Sequence, residues 1–140
     1  MADKRINALF EDYGKAFSSL ALQKTAHLYS DTFIGAGPKG IISNTRDEFI
    51  KNADKAAEFY RSVGQERAEI KSMKETWFSE NYVMVTIHWA AHFKSLDDPV
   101  EFDVSYLVQL TDEKPKIILF ISHEDEEETM KKLGLMNKAA

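Results

Sequence analysis

Two histidines four residues apart, His88 and His92, form the first pair in this chain whose spacing suggests chemistry. On a helix, this spacing places two imidazoles on one face, close enough to bind one zinc ion. Here the pair lies in a run of alternating apolar and polar residues, which predicts a β-strand. On a strand the two side chains lie about 13 Å apart, at roughly 3.3 Å per residue, so they cannot share an ion. We therefore predict no metal site.

Other patterns that carry chemistry are missing from the sequence. The chain has no cysteine, which excludes thiolate catalysis and cysteine-bound metals. Residues 35–40 are rich in glycine, but they lack the Gly-Lys-Ser/Thr ending of a phosphate-binding loop. We find no Ser–His–Asp elbow, no dinucleotide-binding fingerprint and no basic, aromatic patch for nucleic acid. We therefore expect no cofactor.

The composition is that of a globular protein with one domain over residues 1–140. Hydrophobic residues make up 44% of the chain, and charged residues make up 29%. The net charge of −5 argues against binding to nucleic acid or to anionic membranes. The first residues lack the apolar region of a secretory signal, and no segment is apolar enough to span a membrane. A cytoplasmic location is the expectation that follows.

Two long runs alternate apolar and polar residues, which predicts β-strands with one apolar face and one mixed face. Their apolar sets are Val83, Val85, Ile87, Trp89, Ala91 and Phe93, and Val100, Phe102, Val104, Tyr106, Val108 and Leu110. Strands are predicted near 66–78, 81–95, 100–111 and 116–124, and their short connections make neighbouring strands antiparallel. The strand at 66–78 does not keep one parity, so we predict a bend or bulge there.

Helices precede this sheet in the chain. Residues 4–22 carry apolar side chains at spacings of three and four, which predicts an amphipathic helix. Residues 23–30 can form a short second helix, and an extended segment over 31–34 follows it. This segment is predicted to end at the loop of glycines and a proline over residues 35–40.

Two more helices have clear end signals. Thr45 and Glu48 have the spacing of a capping box, which begins a third helix, and Gly64 suits its left-handed end. A short helix follows the last strand. The acidic run 124–128 can attract a cation, but it also stabilises the positive end of this helix, as the lysines at 131–132 stabilise the negative end.

This order of elements resembles the nuclear transport factor 2-like superfamily, in its SnoaL-like and ketosteroid-isomerase-like group. The segments that carry the resemblance are 29–33, 35–40 and the closing strand at 116–125. The resemblance implies a cystatin-like α+β cone, in which a curved antiparallel sheet wraps around the N-terminal helices and a short C-terminal helix follows. The superfamily includes isomerases, polyketide cyclases, dehydratases and noncatalytic modules, so the fold alone does not select a reaction.

The resemblance suggests two polar residues for a pocket. Asp31 lies where isomerase-like and dehydratase-like members carry an acidic base, and burial among apolar groups would raise its pKa for that role. His123 ends the last strand, where cyclase-like members often place a pocket residue, and histidine suits proton transfer. The alternatives are that Asp31 ends a helix or begins a turn, and that His123 lies on the surface.

Aromatic residues supply the remaining candidates. Tyr106 and Trp89 lie on the apolar faces of their strands, and a tyrosine there can donate a hydrogen bond to a ligand carbonyl or oxyanion. The other expected pocket walls are Tyr13, Phe17, Tyr29, Phe49 and Tyr60. The alternative is that these rings belong to a solid core.

Two functional hypotheses follow. In the first, the cone binds a small apolar, carbonyl-bearing ligand, with metal-independent acid–base chemistry of the isomerase or cyclase kind by Asp31, His123 and Tyr106. In the second, the protein is a noncatalytic homodimeric module. In either case we expect a homodimer through the mixed sheet face that bears His88 and His92, because superfamily members often pair through that face.

Overall fold

The computed structural model describes residues 3–111 and 114–135. Within these ranges a six-stranded sheet and three α-helices form, together with one short 3₁₀ helix. The strands are β1 (Tyr29–Gly37), β2 (Gly40–Thr45), β3 (Gln65–Trp77), β4 (Tyr82–Phe93), β5 (Val100–Gln109) and β6 (Lys116–Ser122). The helices are α1 (Lys4–Ser18), the 3₁₀ helix (Leu22–Leu28), α2 (Arg46–Ser62) and α3 (Glu126–Lys132).

The first helix forms where the apolar spacing predicts it, although it ends four residues early. Asp3 caps α1, because its side chain accepts a hydrogen bond from the backbone N–H of Arg5 at 2.8 Å. Leu20, just past the end, has a φ of 57° and turns the chain into the 3₁₀ helix. The second predicted helix is therefore 3₁₀ rather than α, and it ends at Leu28.

The predicted capping box is confirmed at the start of α2. The Glu48 backbone N–H donates to the Thr45 side chain at 3.1 Å, and the Glu48 carboxylate accepts from the Thr45 backbone N–H at 3.1 Å. Gly64, with a φ of 88°, follows the helix and leads directly into β3. Both ends of α2 are thus determined by local sequence.

The long strands agree with their predicted ranges within about two residues at most ends. On β4 the side chains of Val83, Val85, Ile87 and Trp89 are at most 1% exposed and face the helices. The predicted irregularity of β3 is confirmed, because its register against β4 shifts between Gln65 and Arg67 and between Ile70 and Ser72.

The segment predicted as a loop over 35–40 differs from the structure. β1 continues to Gly37, the chain turns at residues 38–39, and β2 returns antiparallel to β1. Glycine allows an extended backbone as well as a turn, so a high glycine content does not by itself separate the two. The predicted elements therefore lack β2, and the predicted extended segment is shorter than β1.

The α+β cone is confirmed, with a curved sheet in the order β2-β1-β6-β5-β4-β3. The sheet is mixed rather than wholly antiparallel, because β1 pairs with β6 in parallel. The antiparallel prediction came from short connections between consecutive strands. It does not extend to β1 and β6, which are joined by most of the chain.

One core lies between α1 and the inner face of the sheet. Ile6, Leu9 and Phe10 of α1 are 0–3% exposed and belong to the same apolar cluster as Val85 and Ile87 of β4. A second, smaller cluster joins α3 to the end of α2 and the end of β4 through Met130, Val63 and Phe93. The two clusters place α1 inside the cone and α3 at its open end.

Gly35 of β1 makes room for the Phe120 ring of β6. A Cβ atom at Gly35 would lie 2.7 Å from Cζ of Phe120, whereas a Cβ atom at Gly37 would meet only the Ser122 Cβ at 3.8 Å. We expect Gly35→Ala to lower the free energy of unfolding by about 1–3 kcal/mol, since the ring must move. Gly37→Ala is the matched control and should change it by less than about 1 kcal/mol. Urea denaturation measures both, and equal effects would contradict this account.

Candidate functional site

A cavity of about 300 Å³ lies inside the open end of the cone. All six side chains predicted as pocket walls surround it: Tyr13, Phe17, Tyr29, Phe49, Tyr60 and Trp89. Tyr106 also lies at the cavity, as do the rings of Phe93, Phe102 and Phe120. The volume of the cavity is at the lower end of the range found for small-molecule binding sites. The interior is therefore not solid, and its walls are mainly aromatic.

Four aromatic side chains from separate elements form a hydrogen-bonded cluster at the cavity. The Trp89 Nε1–H of β4 donates to the Tyr106 hydroxyl of β5 at 3.1 Å. The hydroxyls of Tyr13 on α1 and Tyr29 on β1 lie 2.7 Å apart. The Tyr13 and Tyr106 rings meet edge to face, with their centroids 5.4 Å apart. Helix α1 therefore inserts the Tyr13 hydroxyl into an apolar interior, where Tyr29 of β1 is its hydrogen-bond partner.

These phenols stay protonated near neutral pH. Burial raises the pKa of Tyr29 and of Tyr106 well above the usual value for tyrosine, because an ionised phenolate would lose its hydration. Burial also raises the pKa of Tyr13. The cluster thus presents O–H groups that can donate hydrogen bonds, rather than charges.

Glu126 brings a carboxyl group to the same cavity. It is the first residue of α3, which Asp125 caps by accepting from the Glu128 backbone N–H at 3.0 Å. Burial raises the pKa of the Glu126 carboxyl, and interaction with the Tyr60 hydroxyl lowers it in part. Glu126 is an exposed residue overall, so this desolvation concerns the part of its side chain that lines the cavity. A carboxylate with a raised pKa is a stronger base than an ordinary carboxylate, which suits it to proton transfer.

The α3 helix is tied to the rest of the molecule by charge. The Lys39 ammonium group, in the turn between β1 and β2, lies 3.3 Å from carboxylate oxygens of both Asp125 and Glu128. Met130 on α3 is 4% exposed and packs into the second cluster. These contacts fix the helix that carries Glu126 over the cavity.

The structure does not place Asp31 in the cavity. Its side chain is 91% exposed and lies 3.1 Å from the Arg46 guanidinium group. Asp31 has the same parity as Tyr29 and Phe33, which are both buried. The register of β1 against β6 shifts between Tyr29 and Ile34. The alternation of inward and outward side chains is therefore interrupted at Asp31. The interpretation of Asp31 as a buried base is therefore wrong.

His123 also lies outside the cavity. It follows β6 on the outer face, where its Nε2 is 2.8 Å from the Ser105 hydroxyl and its backbone N–H donates to the Asp103 carbonyl. The strand β6 is apolar on both faces, so its sequence did not reveal this orientation. The proposed convergence of Asp31, His123 and Tyr106 is thus not observed, because only Tyr106 reaches the cavity.

Several polar cavity residues were missed from the sequence, among them Glu126 and Gln65. Glu126 belongs to the acidic run 124–128. Stabilisation of the helix N-terminus explains the charge of this run, so no sequence pattern indicated that Glu126 lies in a pocket. Gln65 begins β3, whose faces the irregular pattern left unassigned. The one sequence signal for Gln65 was a polar residue close to the apolar residues Val63 and Ala68.

The outer sheet face carries His88 and His92, and each histidine has at least one carboxylate partner. His88 Nδ1 lies 2.7 Å from Asp103, and its Nε2 lies 2.8 Å from Glu101, and these hydrogen bonds raise the pKa of His88. His92 Nε2 lies 3.1 Å from Glu69. Within residues 3–111 and 114–135, no group of three His, Asp or Glu side chains is arranged to hold a metal ion.

These features define an α+β cone protein with an aromatic, tyrosine-rich cavity. The family model described as NTF2-like protein (DUF6841) matches residues 3–125. The chain therefore belongs to this NTF2-like family. No curated protein matches the sequence significantly.

Solved structures agree with this fold. An NTF2-like protein of unknown function from Shewanella oneidensis has a TM-score of 0.68 and 19% identity, over 86% of this chain and 97% of that one. A protein of unknown function with a cystatin-like fold, from Nostoc punctiforme, has a TM-score of 0.67 and 11% identity, over 87% and 90%. A candidate scytalone dehydratase from Novosphingobium aromaticivorans has a TM-score of 0.62 and 15% identity, over 85% and 80%.

The fold is compatible with small-molecule binding and with isomerase-like roles. At these identities the solved structures are similar in fold alone, and the fold hosts many functions. Among the helices of the described ranges, none is long and apolar enough to cross a membrane.

The hydroxyl of Tyr106 satisfies a buried indole. Trp89 is 1% exposed, so Tyr106→Phe would leave its N–H without that acceptor. We expect this variant to lower the free energy of unfolding by about 1–3 kcal/mol. Tyr82→Phe is the matched control, since the Tyr82 hydroxyl accepts from Gln109 in a more exposed position, and it should cost less than about 0.5 kcal/mol. Thermal and urea unfolding measure both variants. If Tyr106→Phe costs no more stability than Tyr82→Phe, the indole has another acceptor.

Proposed function

We propose that this protein binds a small, mainly apolar molecule in the cavity of the cone. The observation that carries the proposal is the cavity itself, which is open, aromatic and lined at a few points by polar groups. Such a surface recognises flat or cyclic carbon skeletons through ring contacts, while the polar groups fix orientation. A cone that served only as a scaffold would gain stability by filling this space.

The chemistry that this site supports is proton transfer on a carbonyl-bearing ligand. Glu126 is the candidate base, in place of the two residues that the sequence suggested. Its raised pKa brings proton transfer closer to neutral pH. In the proposed step, the carboxylate takes a proton from the carbon next to the carbonyl, and the bonding electrons move to the carbonyl oxygen.

The tyrosine cluster is the candidate partner for the resulting enolate. The Tyr106 hydroxyl accepts from Trp89, so its own O–H points elsewhere and can turn from the Tyr13 hydroxyl to donate to the ligand oxygen. A donor fixed in a buried site stabilises a developing negative charge more strongly than water does. Return of the proton from Glu126 to a different carbon completes an isomerisation.

Hydrogen exchange at a ketone tests this step. Wild-type protein should speed the exchange of deuterium for the α-protons of cyclic ketones such as cyclohexanone and 2-cyclohexenone, followed by proton NMR. Glu126→Gln should slow the catalysed exchange on the order of 100-fold, because the amide cannot take the proton. Asp31→Asn is the matched control and should leave the rate unchanged, since that carboxylate is 91% exposed and outside the cavity.

Binding is measured separately, so that a passive binder is distinguished from an enzyme. The chain has two tryptophans, and Trp77→Phe leaves Trp89 as the reporter inside the cavity. Saturable quenching of Trp89 by the ketones, without exchange, would support binding and reject proton transfer. No quenching and no exchange with any member of the ketone panel would reject the proposed function.

The second candidate is the homodimeric module, and one feature of the outer face favours it. Four apolar side chains form a continuous row across neighbouring strands: Ile34, Leu119, Leu107 and Met84. Ile34 is 43% exposed, and the other three are partly exposed. A twofold axis through the face that bears His88 and His92 would set this row against its copy, which is how an isologous interface buries one patch twice. Binding and dimerisation use opposite faces, so both can hold.

Light scattering after size exclusion tests the dimer. We expect wild-type protein to form a dimer, and Leu107→Asp to raise the dissociation constant on the order of 100-fold by placing an unpaired charge in the interface. Leu133→Asp is the control, because Leu133 is 43% exposed at the C-cap of α3 and does not belong to the apolar row. A wild-type monomer at tens of micromolar, or equal effects of the two variants, would contradict the interface.

A further inference from the structure

This inference rests on the proposed function and concerns the class of ligand. We infer that the cavity selects an uncharged, oxygen-bearing ring compound, that Gln65 donates a hydrogen bond to one of its oxygens, and that anionic ligands are excluded. Gln65 is thus a specificity-determining residue of the site. The carboxylate groups at the cavity supply the charge selectivity.

Gln65 is buried without a complete set of partners. It is 6% exposed, lies opposite Phe93 at the start of β3 and lines the cavity. Its Nε2 is fully buried and has no hydrogen-bond partner in the described parts of the chain. A buried amide N–H without an acceptor is costly, and native proteins rarely keep one without reason. Rotation of the amide toward the cavity would bring this donor to an acceptor on a bound molecule.

The aromatic cluster at the cavity already has hydrogen bonds within the protein. Tyr13 and Tyr29 bond to each other, and Trp89 donates to Tyr106. Each of these pairs satisfies at least one group within the protein, so a ligand is not needed to complete them. Gln65 therefore differs from the tyrosine cluster, because it needs an external acceptor.

The charges at the cavity have one sign. Among the described residues that line it, Glu124 and Glu126 are acidic, and none is Lys, Arg or His. Lys39 does not line the cavity, and its ammonium group lies 3.3 Å from carboxylate oxygens of Asp125 and Glu128. The faces of the aromatic walls also carry partial negative charge. A carboxylate or phosphate would enter with no cation to offset its desolvation.

Two molecules with the same ring separate these properties. Cyclohexanecarboxamide is neutral and carries an acceptor oxygen, and cyclohexanecarboxylate has the same ring with a negative charge. With Trp77→Phe protein and Trp89 fluorescence at pH 7.5, we expect the amide to bind at least about tenfold more tightly than the carboxylate. Glu126→Gln should narrow this difference, because it removes one of the two repelling charges.

Gln65→Met tests the donor while keeping the length of the side chain. We expect it to weaken binding of the amide by about fivefold, in line with one lost hydrogen bond. Gln109→Met is the matched control on the outer face, where Gln109 donates to Tyr82, and it should leave amide binding unchanged. Thermal unfolding of each variant establishes that the comparison is made on folded protein.

The outcomes separate this inference from the proposed function. Equal amide affinity in wild type and Gln65→Met would overturn the role of Gln65, and tighter binding of the carboxylate would overturn the charge selectivity. If the cyclic ketones quench Trp89 while the amide does not, this inference fails and the proposed function stands. If the ketones also fail, both are wrong.

Discussion

The packing of α1 against the inner face of the sheet is the contact on which the rest of this structure depends. Phe10 and Phe17 bring their rings to within 5.0 Å of Tyr106 and 5.1 Å of Trp89, measured between ring centroids. This contact covers the apolar face that the alternating strands create. It also holds the polar groups of Trp89 and Tyr106 in place. The cavity exists because large, rigid rings meet at angles and do not fill the space toward the open end of the cone.

The polar groups divide between the two sides of the sheet. On the outer face, His88 lies between two carboxylates, and Ser105 connects Thr86 to His123. In the cavity, neutral hydroxyls and one amide are accompanied by carboxyl groups at the α3 side. Solvent screens the outer charges, whereas burial changes the proton affinity of the inner ones. The chemistry proposed for this protein therefore belongs to the inner face, and association with a second copy to the outer one.

Features that depend on neighbouring residues were predicted correctly, whereas features that depend on contacts between distant parts of the chain were not. The alternation of β4 and β5, the capping box at Thr45 and the aromatic walls were predictable, because each depends on spacing within one element. The strand β2 and the parallel pairing of β1 with β6 were not, because they depend on contacts between distant parts of the chain. Asp31 was assigned to the interior by resemblance, and a register shift in β1 places it on the surface instead.

The sequence alone determined strands whose inner face is apolar and carries aromatic rings, since hydrophobic periodicity is a local property, and its resemblance to the NTF2-like superfamily implied the cone. It also determined that His88 and His92 cannot share an ion, because a strand holds them too far apart. The tertiary structure alone decided which polar groups reach the cavity. Glu126 arrives there through the docking of α3, and Gln65 through the irregular start of β3. These positions follow from packing between remote segments, which no local pattern encodes.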